Sequence, residues 1–117
     1  MNIYMFDVDE TLEVSGGPVK FNQLVSLREH GHILGLCGNW AMVTNYVQGW
    51  HTLFSLVSVF KGRKYEYLEM VKKHIPADRY IMVGNEFPSN APYSDKGEAE
   101  LAGWEFIHEK DFAEMMA

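Results

Sequence analysis

Near the start of the chain, Asp7-Val8-Asp9-Glu10-Thr11 sets two carboxylates two positions apart, directly after the apolar run Asn2 to Phe6. At the end of a buried strand such a pair meets backbone amides of the following turn, which can point at an anion. One carboxylate can attack phosphorus while the other protonates the leaving oxygen. An aspartate nucleophile suits phosphoryl transfer because an acyl-phosphate forms and is then hydrolysed, dividing one hard step into two. A site this negative also needs a hard cation before a phosphate dianion approaches. Mg²⁺ held by carboxylate and carbonyl oxygens meets that need. Taken alone, Asp7, Asp9 and Thr11 equally suit the plain end of a strand and the start of a turn.

Other reactive side chains read as structural. His30, His32, His51, His74 and His108 lack metal-ligand spacing. Trp40, Trp50 and Trp104 read as core anchors, and Trp40 also stands close enough to Asn39 to line a site entrance. Cys37 is the single cysteine, which excludes an intramolecular disulfide and fits a reducing, cytoplasmic setting.

The elements that must carry the acidic pair follow from the apolar pattern. Asn2 to Phe6 reads as a buried parallel strand. After a turn at Ser15-Gly16-Gly17-Pro18, the spacing of Phe21, Leu24, Val25 and Leu27 predicts a helix ending near Gly31, then a strand from His32 to Cys37. A helix is expected from Trp40 to about Gly49, a strand over Val57 to Phe60, and a helix from Lys64 to His74 that Pro76 stops. Tyr80 to Val83 is the clearest strand, halted by Gly84. Beyond the loop Asn85 to Ser94, Asp95 reads as the N-cap of a helix reaching Ala102, followed by a strand at Glu105 to Ile107 and a helix over Asp111 to Met116. This alternation predicts an α/β fold: a Rossmann-like three-layer sandwich around a parallel sheet of about five strands. A chain of 117 residues has room for one core, so residues 1–117 read as a single domain.

Composition narrows the partners. With 47% hydrophobic and 22% charged residues the chain is an ordinary globular protein, and 16 acidic against 10 basic residues, net charge −6, argue against nucleic acid as a partner. No apolar run approaches the roughly 18 residues of a membrane span, and the start of the chain has no signal-peptide pattern.

Tyr4-Met5-Phe6-Asp7-Val8-Asp9-Glu10-Thr11-Leu12 resembles the first motif of the haloacid dehalogenase superfamily. The resemblance extends along nearly the whole chain. Ile33 to Asn39 is similar to the second motif, Lys64 at a helix start to the third, and Val83-Gly84-Asn85 with Asp95 to the acidic fourth; Asp95 to Trp104 is similar to the helix that follows it. The resemblance implies a Mg²⁺-dependent phosphatase with Asp7 as nucleophile and Asp9 as general acid/base, also lending its backbone carbonyl to the metal. Lys64 would steady the phosphate, with Thr11, Gly38 and Asn39 around it. The metal set would come from Asp7, Asp9, Asn85, Asp95 and Glu86. Neither cap position of the family has room for a domain here, so the resemblance implies a capless member with an open site. Its substrate would be a phosphorylated small molecule or macromolecule, and a second copy of the chain is a possible cover for the site.

Two departures matter. Gly38 stands where the family carries a hydroxyl, and Asn85 where it carries an aspartate. Glu86 or Asp95 is expected to make good the lost charge, and Lys61, Arg63 and Lys64 compete for the third-motif role. The loop Phe87 to Tyr93 is a candidate lid. The alternative to an enzyme is a degenerate relative that binds a phosphorylated ligand or protein without turnover. A response-regulator receiver fits less well, because its acids lie side by side and its acceptor follows a later strand.

Overall fold

The computed structural model describes residues 1–58, 63–86 and 94–117. Five strands, β1 (Ile3–Phe6), β2 (Ile33–Leu36), β3 (Leu56–Val57), β4 (Tyr80–Gly84) and β5 (Glu105–His108), form one sheet in the order β3-β2-β1-β4-β5. Every pairing is parallel. β1 is the central strand, with Ile3 opposite both Ile33 and Tyr80, and all four of its residues are buried. A strand covered on both faces has no reason to alternate polar and apolar residues, hence the unbroken Ile3-Tyr4-Met5-Phe6 run.

Alternate side chains of the sheet feed two cores. Tyr4, Phe6, Leu34, Leu36, Ile81 and Val83 pack with Leu24 and Leu27 of α1 (Phe21–Glu29), Val43 of α2 (Trp40–Tyr46), Phe54 beyond α3 (Trp50–Leu53) and Phe112 of α6 (Glu109–Met115). On the opposite face Ile3, Met5 and Met82 pack with Leu68 and Val71 of α4 (Lys64–His74) and with Ala99 of α5 (Asp95–Leu101). The result is the expected three-layer α/β arrangement. No helix of the described residues is long and apolar enough to cross a membrane.

Several boundaries differ from the sequence expectation, each for a local reason. The helix expected from Trp40 to about Gly49 stops at Tyr46, where Val47 turns to extended backbone, and a further short helix, α3, follows Gly49, which takes φ +78° as its N-cap. Of the strand expected over Val57–Phe60, β3 covers Leu56–Val57, while Val59 and Phe60 lie outside the described residues. Ser94, not Asp95, caps α5, its Oγ accepting from the Gly97 amide at 3.1 Å, while Asp95 is the first helical residue and is buried. The last helix begins at Glu109 rather than Asp111, because His108 Nδ1 accepts from the Lys110 amide and serves as the cap.

Topology creates an opening. From β1 the chain winds outward through β2 to β3, then returns to the other side of β1 for β4 and β5. The direction reverses between β1 and β4, and loops leaving the carboxyl ends of these strands diverge there, as in other open parallel sheets. Asp7 is the first residue past β1 and Asn85 the first past β4.

Candidate functional site

Three charged side chains from three distant segments meet at this opening. Lys64 Nζ, from the first turn of α4, donates to Asp7 Oδ1 at 2.9 Å and to Asp95 Oδ1 at 2.5 Å. The second Asp95 oxygen accepts from the Asn85 amide at 3.1 Å, and the Asn85 side-chain amide lies 3.5 Å from Asp7 Oδ2. Bare backbone makes room for both acids. A Cβ at Gly38, which holds φ +130°, would stand 2.6 Å from Asp7 Oδ1, and one at Gly84 would stand 2.4 Å from Asp95 Oδ2. The bare backbone of Gly38 is therefore what leaves room for Asp7 where it sits.

Two carboxylates share one ammonium. Burial pushes Asp7 up to about 7, and the negative charge of Asp95 adds to that rise against the pull of Lys64. Burial works to lower Lys64, but the charges of Asp7 and Asp95 outweigh it and hold the ammonium above its ordinary value. Cys37, buried in the neighbouring core, is pushed up to about 12 chiefly by burial and stays a thiol, not a nucleophile.

Of the other anticipated residues, Asp9 is exposed and its Oδ1 accepts from Asn39 Nδ2 at 3.2 Å, so the turn after β2 is tied to the turn after β1. Thr11, expected near the phosphate, has a buried hydroxyl that donates to Glu109 Oε2 at 2.6 Å, tying the acidic turn to α6. Glu86, expected in the metal set, is exposed with its carboxylate 3.9 Å from the Lys96 ammonium. Among the three basic residues, Lys64 reaches Asp7, Arg63 pairs with Glu98 at 2.6 Å, and Lys61 lies outside the described residues, as does the expected lid Phe87–Tyr93.

Three participants escape local sequence patterns. Ser58, just past β3, accepts the Gly38 amide on its Oγ at 3.3 Å and brings a hydroxyl next to the position that lacks one. Glu98 and Glu109 are buried carboxylates whose partners lie 35 and 98 residues away. An acid at helical spacing from Asp95 was the only available signal for Glu98. Compared with family models, curated proteins and solved structures, the chain gives no match.

Proposed function

We propose that the protein is a Mg²⁺-dependent phosphatase of the haloacid dehalogenase type, acting through an aspartyl-phosphate on Asp7. The observation that carries this reading is the Lys64 ammonium held between Asp7 and Asp95 at the carboxyl ends of β1 and β4. A carboxylate oxygen of Asp7 attacks phosphorus, the bond from phosphorus to the ester oxygen breaks, and that oxygen takes a proton from Asp9. A water, losing its proton to Asp9, then attacks the same phosphorus, the bond to Asp7 breaks, and phosphate leaves. Lys64 offsets the charge on Asp7 and on the transferring phosphoryl oxygens. The turn of Gly38 and Asn39, with the Ser58 hydroxyl beside it, offers further polar groups next to Asp7 and Asp9.

The donor set suits Mg²⁺. Two buried carboxylates against one ammonium leave an excess negative charge, and the oxygens present are hard ligands. Asp7, Asp95, the Asp9 carbonyl and the Asn85 amide oxygen would hold the ion. Bound there, it would supply charge neutralisation for the incoming phosphate dianion.

The test is hydrolysis of p-nitrophenyl phosphate with Mg²⁺ or with EDTA, alongside Asp7→Asn. The expected result is metal-dependent turnover that falls at least about 10³-fold in the variant. A wild type without turnover favours the second reading, a binding protein for phosphorylated ligands. That reading is motivated by Asn85, a neutral residue in a metal position, and by an Asp95 whose two oxygens are already engaged by Lys64 and a backbone amide.

A further inference from the structure

The first turn of α4 has an electrostatic problem. It opens with Arg63 at the N-cap and Lys64 at the first helical position, two cations at the end of a helix that already carries a partial positive charge, and the Arg63 side chain makes no cap. The answer comes from another helix. Glu98 of α5 is 4% exposed; its Oε2 accepts from the Tyr65 amide at 2.6 Å, and its Oε1 accepts from Arg63 Nε at 2.8 Å. Glu98 thus holds the residues on both sides of Lys64. Asp95 and Glu98 are three apart and so share one face of α5, which spends one carboxylate on the Lys64 side chain and the other on the backbone beneath it. α5 is itself fixed at this end, with Ser94 Oγ bound to the Gly97 amide and the Ser94 carbonyl to the Glu98 amide.

We propose that Glu98 is a positioning residue for Lys64: it caps α4 from outside, and by anchoring Arg63 and Tyr65 it aims the Lys64 ammonium between Asp7 and Asp95. The functional half of this inference rests on the phosphatase reading, in which a displaced Lys64 no longer steadies the phosphoryl group; the aiming itself does not.

Competitive acetylation read by mass spectrometry tests the aiming without any assay of turnover. In the wild type Lys64 should acetylate slowly, its ammonium tied to two carboxylates. In Glu98→Gln, Lys64 should acetylate about 3- to 10-fold faster, with the other lysines unchanged, as expected when an ammonium loses part of a two-carboxylate hold. Val71→Ala, a core truncation on the same helix, is the control for general loosening. Unchanged Lys64 labelling in Glu98→Gln, or an equal rise in Val71→Ala, overturns the proposal. Glu98→Asp, which keeps the charge and shortens the reach, should give a smaller rise, and it carries the same readout if the glutamine variant fails to fold. Hydrolysis of p-nitrophenyl phosphate is measured on the same proteins. Faster labelling with kcat reduced about tenfold supports both halves; faster labelling with unchanged kcat overturns the functional half; faster labelling in a chain whose wild type has no turnover supports the aiming and sinks the phosphatase reading instead.

Discussion

At Asp7 the structure holds a carboxylate in a place that disfavours its charge, and the sign of the effect on stability follows. Its affinity for a proton rises on folding, from about 4 in an unfolded chain to about 7 in the native protein, so the native state binds the proton more tightly. Without metal, the contribution of this group is most favourable below about pH 4 and is lost as pH rises through that window. Asp7→Asn removes the titration. In EDTA the variant should melt at about the wild-type temperature near pH 4 and higher near pH 7, where a gain on the order of 1 kcal/mol corresponds to about 4–8 °C; an advantage independent of pH would show that Asp7 is not the group responsible. Gly38 gives a second expectation at this scale. Restoring a family-like hydroxyl by Gly38→Ser places a Cβ against Asp7 Oδ1 on backbone at φ +130°, so it should lose about 1–3 kcal/mol in urea unfolding and gain no turnover. The sequence marked Gly38 as a defect because a motif registers residue type, whereas the need for bare backbone arises from the side chain of Asp7, at the end of a different strand.

Among the elements, α5 matters most to the site although it spans only Asp95–Leu101. Such a short helix owes its first turn to its cap and its contacts. Ser94→Ala should therefore lower stability by about 1 kcal/mol, seen as a lower melting temperature by circular dichroism, and on the proposed phosphatase reading it should weaken turnover as well, because Asp95 is the next residue. The elements themselves were largely legible. Apolar runs bounded by glycine and charge located β1, β4 and α4, because a buried parallel strand and an amphipathic helix leave distinct spacings. Their ends were less so. Asp95 looks like a cap by residue type, yet Lys64 draws its carboxylate into the site and leaves the capping to Ser94. His108 gave little warning, since a ring nitrogen seldom caps a helix. Lys64 itself could be ranked above Arg63 only by its place at a helix start; the contact of Arg63 with Glu98 depends on α4 lying beside α5.

For the whole molecule, the two cores carry different loads. The core over Tyr4 and Phe6 is locked by Phe112, whose ring centroid lies 6.1 Å from that of Tyr4 and 5.4 Å from that of Phe6, joining α6 to the central strand. Phe112→Ala should destabilise by about 3–5 kcal/mol in urea unfolding, while Val25→Ala on α1, which is 40% exposed despite its place in the apolar stripe, should stay within about 0.5 kcal/mol. Three-layer order could be anticipated from the alternation of strands and helices, but the strand sequence β3-β2-β1-β4-β5, and with it the meeting of Asp7 and Asp95, depends on packing between segments far apart in the chain. The central position of β1 also bears on synthesis. β1 is translated before both of the strands that flank it, and the second of them, β4, is complete only at Gly84. A nascent chain therefore exposes an unpaired, wholly apolar edge until Gly84 has left the ribosome, a span over which chaperone capture competes with self-association.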